Sequence, residues 1–529
     1  MKNKICTVDK IISTLTLKEK VGQFFMAPAF INDSDEEINK LENLIVNHNI
    51  GGLCFFHSRE SAAANFEKNR QSKSIEKNTN NDSLNTLKLL IERYQSAAKY
   101  PLLISIDAEW GLAMRVENTP QYPYALTLGA TQKKLEFAYQ VGKQIAKDCK
   151  AVGVNWNLSP VIDINTNPRN PVIGYRSFGD DQHDVYTLAH EFIKGAHSEG
   201  VLTSIKHFPG HGDTEIDSHL GLPIINKSKK ELLENELYPF QKLIDEGVDS
   251  IMAGHLSIPS LSKDKTLPSS INKDIIKGLL RNEMGYQGVV VSDALNMQAV
   301  SKYFDTPGQL EWKAFDAGND ILCFAEHVDA GIQAILKNAN EDQINTSLKR
   351  IWQLKQRAFI NLKPRFLQPE NTLSNQSDLN KRIAEDAITL LYGDTSVIAD
   401  FSKTDYCTIS LNRKPGLSES EILCLINNIK QEILNKENIL LNLSPPQMKP
   451  KQNFGFLKEE IDFINELITT KETVLYLFGN PYILNYFDIN NTKATVIAYQ
   501  DFEEFHEVAR LHFLGQLKAN GKLPVELTK

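Results

Sequence analysis

The sequence predicts an α/β fold: a closed (β/α)8 barrel of the TIM type followed by a smaller α/β layered domain. Short apolar runs alternate with amphipathic stretches along most of the 529 residues, and this alternation is typical of βα units that build a parallel sheet. About eight units precede the first marked break, the number that closes a TIM barrel. The alternation then resumes on a smaller scale, which indicates a second layered unit.

Eight apolar runs are the predicted barrel strands. In chain order they are Val21–Met26, Ile50–Phe56, Leu102–Asp107, Val154–Leu158, Val201–His207, Ser250–His255, Gly288–Asp293 and Asp320–Phe324. Segments with helical spacing of apolar residues lie between them, most clearly Leu135–Ala151, Val185–Ser198, Lys230–Glu246 and Lys273–Glu283. Strands and helices therefore alternate as a barrel requires.

The barrel is expected to end near residue 365, where Pro364 and Pro369 lie in a polar segment. Proline interrupts regular structure, so this segment fits a linker. Beyond it, strand-like runs alternate with helical stretches; the runs are Cys407–Leu411, Thr473–Phe478 and Ala494–Ala498. The sequence therefore predicts a barrel domain over residues 1–365 and a smaller α/β domain over residues 366–529.

Charge and composition exclude several classes of protein. The net charge is −8 and no dense block of Lys or Arg occurs, which argues against a nucleic-acid partner. Six cysteines are scattered without a CxxC pair, a pattern that indicates buried free thiols rather than a disulfide framework. Because no apolar stretch has the length of a signal peptide or of a membrane span, we expect a cytoplasmic protein. The sequence gives no indication of oligomeric state.

Polar residues follow most of the predicted strands, at the end where a parallel barrel carries its chemistry. They are Asp107 and Glu109 after the third strand, Asp163 after the fourth, Lys206 and His207 at the end of the fifth, His255 after the sixth and Asp293 after the seventh. Any one of them could cap a helix or hold a loop. Their recurrence on neighbouring strands instead indicates one shared pocket, as in an enzyme.

The densest concentration of reactive groups follows the fifth strand. Residues 206–214 read KHFPGHGDT and are followed shortly by Asp217-Ser218-His219. Glycine and proline exclude a regular helix here, so the histidines and acids must lie on a loop. Loops rich in titratable groups on a rigid scaffold commonly carry function. We interpret this segment as an active-site loop.

These segments resemble glycoside hydrolase family 3, and within it the β-N-acetylglucosaminidases. The loop at 206–219 is similar to the motif of that subgroup, and four other segments match in order: DAEWGLAMR at 107–115, NPRNPVIG with RSFG at 167–179, VSDAL at 291–295 and AGND at 317–320. The likeness continues more weakly at residues 383–391 and 521–525. The resemblance implies a retaining exo-β-N-acetylglucosaminidase that acts on terminal β-linked N-acetylglucosamine and needs no cofactor. The implied role is peptidoglycan (muropeptide) recycling, and chitin-derived sugars or glycan fragments are the other possible substrates.

The resemblance also implies roles for individual residues. Asp293 would be the nucleophile, and His219, oriented by Asp217, would be the acid/base in place of the usual carboxylic acid. Asp213 and Glu215 are competing acids on the same loop. The substrate-binding residues would be Asp107, Arg115, Arg176, Lys206 and His207. Many relatives have a Gln-Glu-Gly-Gly turn where this chain has Trp110; this tryptophan could offer its face to a sugar or pack in the interior.

Other functions remain open at this point. His207, His211, His219 and His255 with Asp293 could hold zinc in a metal-dependent hydrolase. A non-catalytic sugar-binding protein is a further alternative, although the intact Asp293 and Asp217–His219 pair argue against it. A family relative could also cleave another β-glycoside, or use phosphate in place of water, because a neutral histidine repels phosphate less than a carboxylate does.

Overall fold

The first sheet of the protein is a closed parallel barrel. The computed structural model describes residues 8–58, 82–215, 221–359, 373–413 and 417–528. Its barrel strands are β1 (Phe25–Phe30), β2 (Gly52–Phe56), β3 (Leu103–Ile106), β4 (Trp156–Asn157), β5 (Leu202–Phe208), β6 (Ser250–Ala253), β7 (Val289–Ser292) and β8 (Leu322–Cys323), in the order β7-β6-β5-β4-β3-β2-β1-β8. A parallel bridge between Val291 and Ile321 joins β7 to β8 and closes the ring. The predicted fold class is confirmed.

Helices cover the outside of this barrel. They are Val8–Ile12, Leu17–Gly22, Asp35–His48, Ser83–Ala97, Ala125–Ala130, Lys134–Ala151, Gln182–Ser198, Lys229–Glu234, Tyr238–Asp245, Gln298–Ser301, Gln309–Ala317, Val328–Asn338 and Glu341–Phe359, with a π-helix at Asp274–Glu283. The first predicted strand, Val21–Met26, begins too early. A capping box of Thr16 and Glu19 begins the helix Leu17–Gly22, and the strand itself starts only at Phe25. The single helix predicted over 230–246 is two helices, and Pro239 opens the second of them.

The second sheet belongs to the smaller α/β domain. Its strands are β9 (Thr389–Tyr392), β10 (Tyr406–Leu411), β11 (Asn438–Leu443), β12 (Glu472–Leu477) and β13 (Ala494–Ile497), in the order β10-β11-β12-β13-β9 with only β9 antiparallel. Its helices are Ser377–Ala387, Thr395–Phe401, Glu419–Glu432, Lys458–Thr470 and Glu503–Phe513. Three strands were predicted, whereas β9 and β11 were not. The predicted boundary at residue 365 lies outside the described residues.

The second domain contacts the barrel beside the carboxyl ends of its strands. The side-chain oxygen of buried Gln500 accepts hydrogen bonds from the Tyr124 backbone N–H (3.3 Å) and the Thr127 hydroxyl (3.1 Å). The C-terminal segment also runs along the barrel, where the Asp180 N–H donates to the Pro524 carbonyl at 3.1 Å. The two domains therefore meet next to the loops that follow β3 and β4.

Two expectations from composition can be compared with the structure. The described cysteines, Cys54, Cys149, Cys323, Cys407 and Cys424, are all free thiols as predicted. The first three are buried as predicted, whereas Cys407 is half-buried and Cys424 is exposed. None of the helices within the described ranges combines the length and the apolar character needed to cross a membrane.

Candidate active site

Five charged side chains of alternating sign form a continuous chain at the carboxyl ends of β3 and β5. Lys206 Nζ lies 2.8 Å from Asp107 Oδ1 and 2.8 Å from Glu109 Oε1. Arg115 donates to the other oxygen of Asp107 at 2.7 Å, and Arg176 donates to both oxygens of Glu109 at 2.8 and 2.7 Å. We call this set the charge chain; it runs Arg115–Asp107–Lys206–Glu109–Arg176.

Mutual attraction keeps the charge chain ionised despite its burial. Burial raises the pKa of Glu109, but Arg176 and Lys206 outweigh burial and bring this pKa down to about 2. The same competition, with Lys206 and Arg115 as the cations, lowers the pKa of Asp107. Burial lowers the pKa of Lys206, whose side chain is 2% exposed, yet the two acids leave this pKa above its ordinary value. The charge chain therefore holds three cations and two anions near neutral pH.

His207 is held by a buried carboxylate on the neighbouring strand end. Its Nδ1 lies 2.7 Å from Asp163 Oδ2, and the other oxygen of Asp163 accepts the His211 backbone N–H at 2.7 Å. Burial raises the pKa of Asp163, but the charge and hydrogen bond of His207 outweigh it and lower this pKa. His211 Nδ1 lies 2.7 Å from the Thr214 hydroxyl, and burial together with His207 lowers the His211 pKa to about 4. His211 is thus a neutral, internal histidine near neutral pH.

The first part of the loop after β5 is anchored to the loop after β4. Asn170 Nδ2 donates to the carbonyls of His211 (2.8 Å) and Gly212 (3.0 Å). A Cβ at Gly212 would lie 1.6 Å from the Ile164 carbonyl oxygen, so the two loops meet at a point where only glycine fits. Asp217 and His219, the predicted acid/base pair, lie outside the described residues. The part of this loop that the structure describes, up to Glu215, is therefore the part held by the loop after β4.

Both competing acids of this loop have cationic partners. Asp213 Oδ2 lies 2.9 Å from Lys227 Nζ, and Glu215 pairs with Arg169. Each of these carboxylates is therefore engaged in an ion pair.

Asp293 follows β7 directly and is fixed through its backbone. Its N–H donates to the Ala253 carbonyl at 2.9 Å, and its Oδ1 accepts the Ala294 N–H at 2.8 Å. The Cys54 hydrogen bond, burial and then the negative charges of Asp293 and Asp107 raise the pKa of the Cys323 thiol. The charges of Asp293 and Asp107 therefore both act on this buried thiol.

His255 supports the segment that follows Asp293. Its Nε2 donates to the Ala294 carbonyl at 2.9 Å, and its Nδ1 accepts from the Ser270 hydroxyl at 2.6 Å. Both ring nitrogens therefore serve packing rather than a ligand. In the described ranges, no three His, Cys, Asp or Glu side chains are grouped so that they could hold a metal ion.

A cluster of aromatic rings adjoins the charge chain. The ring of Trp110 lies 5.0 Å from that of Tyr124 and 6.0 Å from that of Tyr175, and the two tyrosine rings are 4.5 Å apart. All three residues are half-buried. We call this set the aromatic cluster.

Comparison with known proteins identifies the family. The model described as "Glycosyl hydrolase family 3 N terminal domain" matches residues 16–354, well over half of the chain. The chain belongs to glycosyl hydrolase family 3. It is 33% identical over 344 residues to beta-hexosaminidase A of Pseudoalteromonas piscicida, covering 60% of this chain and 55% of that relative. It is 32% identical over 281 residues to a beta-hexosaminidase of Haemophilus influenzae, covering 51% and 78%.

Solved structures extend the likeness to the second domain. A family 3 beta-N-acetylglucosaminidase from Paenibacillus sp. str. FPU-7 superposes with a TM-score of 0.79 at 29% identity, over 97% of this chain and 99% of that one. The beta-glucoside phosphorylase BglX superposes with a TM-score of 0.82 over 100% and 97%, but at 21% identity this shows a shared fold alone. The chain spans about half the length of the Pseudoalteromonas relative.

The predicted site residues fall into three groups in this family 3 structure. Asp107, Arg115, Arg176 and Lys206 meet in the charge chain, with His207 adjoining it. Asp293 follows β7 at the same end of the barrel. Asp217 and His219 lie outside the described residues. Glu109 and Asp163 were recognised as acids at strand ends but were not predicted as site residues. Their partners, Arg176 and His207, are distant from them in sequence.

Proposed function

We propose that this family 3 glycosyl hydrolase is a retaining exo-β-N-acetylglucosaminidase that hydrolyses terminal β-linked N-acetylglucosamine. The observation that carries the proposal is the charge chain, which lies at the same end of the barrel as Asp293. Sugar hydroxyls both donate and accept hydrogen bonds, and the charge chain offers them carboxylate acceptors and cationic donors. The names of the most similar relatives, hexosaminidases and an N-acetylglucosaminidase, support the same substrate.

In the proposed reaction, Asp293 attacks the anomeric carbon and forms a covalent glycosyl-enzyme. Two hydrogen bonds restrict the movement of this residue: its N–H donates to the Ala253 carbonyl, and its side-chain Oδ1 accepts the Ala294 N–H. Positional slack at a nucleophile is costly in rate. His219, oriented by Asp217, donates a proton to the leaving oxygen. The same histidine then takes a proton from the water that releases the sugar, so that two inversions retain the configuration.

In this proposal, recognition of the sugar depends on the charge chain and His207. Asp107 and Glu109 accept protons from sugar hydroxyls, while Arg115, Arg176 and Lys206 donate to their oxygens. Because the pKa of Glu109 is held at about 2, the acceptor function does not require any proton loss on binding. His207 contributes a ring whose orientation is set by Asp163.

Turnover of two aryl glycosides tests the assignment. We expect strong preference for p-nitrophenyl N-acetyl-β-glucosaminide over the β-glucoside, with Asp293→Ala and His219→Ala severely impaired and the matched loop variant Glu215→Gln close to wild type. Full activity of Asp293→Ala would refute the mechanism, and equal turnover of the glucoside would refute the substrate. Adding inorganic phosphate separates hydrolysis from phosphorolysis, since a sugar 1-phosphate product would replace the free sugar.

We further propose a muropeptide fragment as the natural substrate, in the cytoplasm, as part of peptidoglycan recycling. The acidic net charge and the buried free thiols agree with a cytoplasmic enzyme that acts on a small carbohydrate rather than a nucleic acid. Rates on N-acetylglucosaminyl-anhydro-N-acetylmuramic acid and on the chitin disaccharide distinguish the two substrates. A clear preference for the chitin disaccharide would contradict a role in recycling.

A further inference from the structure

Three phenylalanines lie at the carboxyl ends of three neighbouring barrel strands. Phe30 ends β1, Phe56 ends β2 and Phe324 follows β8, and these strands are adjacent in the sheet. The ring of Phe56 lies 5.9 Å from that of Phe30 and meets that of Phe324 edge-to-face at 5.4 Å. We call these three buried rings the phenylalanine platform. Because the barrel is parallel, the platform lies at the same end as the charge chain.

The backbone of Phe324 is strained. Its φ is 54°, in the left-handed region that a bulky residue rarely adopts. Its N–H donates to the Met26 carbonyl at 2.9 Å, and its ring packs on those of Phe30 and Phe56. Strain of this kind persists only where the surroundings enforce it, and it is concentrated at functional sites. The strain therefore indicates that the platform does more than fill space.

One arginine of the charge chain lies on the platform. The Cζ atom of Arg115 is 5.2 Å from the centre of the Phe56 ring, within the range of a cation–π interaction. The same two segments also approach each other next to this contact, where His57 Nε2 lies 3.8 Å from Glu117 Oε1. The loop after β3 is therefore held against the end of β2 at two points.

The two outer arginines of the charge chain are held in different ways. Arg176 donates through Nε and Nη2 to both oxygens of Glu109, so the carboxylate fixes the plane of its guanidinium group. Arg115 donates only Nη2 to Asp107, and its buried Nε has no hydrogen-bond partner among the residues that the structure describes. A single hydrogen bond fixes one atom and lets the group turn about it. The face of Phe56 supplies the missing constraint, because a guanidinium stacks flat on an aromatic ring.

We propose that the phenylalanine platform positions Arg115 for substrate recognition. Phe56, supported by Phe324, holds the guanidinium in the plane from which Arg115 donates to a hydroxyl oxygen of the bound sugar. This inference rests on the proposed function, in which Arg115 is such a donor, and it assigns a role to residues behind the binding groups. A donor that is held in place before the sugar arrives loses less entropy on binding.

A double-mutant cycle on kcat/KM tests this role. The four proteins are wild type, Phe56→Leu, Arg115→Met and the double variant, with p-nitrophenyl N-acetyl-β-glucosaminide as substrate. Leucine keeps an apolar side chain at this position but removes the ring face. Phe56→Leu should lower kcat/KM about tenfold in the wild-type background, but less than about twofold in the Arg115→Met background, because the ring acts through Arg115. Equal losses in both backgrounds would overturn the proposal.

Three further readouts distinguish positioning from general destabilisation. Partial unfolding reduces the amount of active enzyme and so lowers kcat alone, whereas Phe56→Leu should divide its effect between kcat and KM as Arg115→Met does. Phe56→Tyr keeps the ring face and should retain most of the activity. The matched control is Tyr286→Leu, since Tyr286 lies 5.2 Å from Arg281 Cζ but precedes β7, at the opposite end of the barrel. Its kcat/KM should stay within about twofold of wild type; a tenfold loss there would overturn the proposal.

Urea unfolding of the same four proteins does not depend on turnover. If Phe56 and Arg115 stack, Phe56→Leu should shift the urea midpoint less in the Arg115→Met background than in wild type. If this coupling is found but no glycoside is cleaved, the proposed function fails and the contact between Phe56 and Arg115 stands. If the β-glucoside is cleaved instead, the substrate assignment fails, and the kinetic cycle on the glucoside decides whether Phe56 acts through Arg115. Equal midpoint shifts in both backgrounds would overturn the platform.

Discussion

Lys206 is the central cation of the charge chain, and Lys206→Met should strongly destabilise the barrel. The substitution keeps the length of the side chain but leaves two buried carboxylates with one cation each. The fall in the Glu109 pKa from 4.5 to about 2 corresponds to about 3 kcal/mol of stabilisation by its partners, net of burial. Removing one member of a buried ion pair costs about 3–5 kcal/mol. We therefore expect the free energy of unfolding to drop by about 3–5 kcal/mol at pH 7.

Urea denaturation followed by tryptophan fluorescence measures this loss. The matched control is Lys194→Met, because Lys194 and Glu191 are 2.7 Å apart, as close as the buried pair, but on the surface; no measurable change is expected. The pH dependence gives a second check. Carboxylates with lowered pKa values stabilise the fold above their unfolded pKa and lose this effect as the pH falls through the folded value. The difference in the free energy of unfolding between wild type and Lys206→Met should thus shrink as the pH falls from 5 to 3. A difference under about 1 kcal/mol at pH 7, or a difference that does not change with pH, would refute the reasoning.

Three further predictions concern single side chains. Asp213→Asn should alter disaccharide hydrolysis only slightly because Lys227 already occupies this carboxylate, whereas a loss of about 100-fold would make Asp213 the proton donor after all. Tyr122→Phe removes the hydroxyl that donates to buried Asp148 at 2.8 Å and should lower the free energy of unfolding by about 1–3 kcal/mol; an unchanged urea midpoint would contradict this. Burial lowers the His512 pKa to about 4, so the folded state disfavours its protonation and stability falls as the pH drops from 6.5 to 4. His512→Gln should lessen this fall by about 2 kcal/mol, as measured by urea unfolding at pH 7 and 4.5, and an identical fall in both proteins would disprove it.

The barrel could be predicted because its strands are short, continuous apolar runs that need no partner to be recognised. β1 was misplaced because the helix Leu17–Gly22 also presents buried apolar residues, and only its capping box distinguishes it. β11 was missed because its exposure alternates and its asparagines interrupt the apolar run. β9 was missed because it has only four residues, of which Thr389 is buried and Tyr392 is exposed.

The site was predictable in its parts but not in its pairings. Asp107 and Lys206 were identified because each lies at a strand end, a local property of the sequence. The order of the charge chain depends on contacts between residues 67 and 99 positions apart, Arg176 with Glu109 and Lys206 with Asp107. No local pattern specifies which acid meets which base. For the same reason the aromatic cluster could not be foreseen, since Trp110 and Tyr175 come from different loops.

The alternating signs of the charge chain limit how this pocket can be re-engineered. Exchanging either acid alone leaves an outer arginine without its counter-charge, Arg115 for Asp107 and Arg176 for Glu109. A change of specificity therefore has to replace the acid and its arginine together. Glu109 and Arg176, the pair below the aromatic rings, lie on separate loops. A graft of the 107–115 loop from another enzyme would therefore import an acid or an amide without its matching base. Such chimaeras should become functional only when the 167–179 loop is transplanted from the same donor.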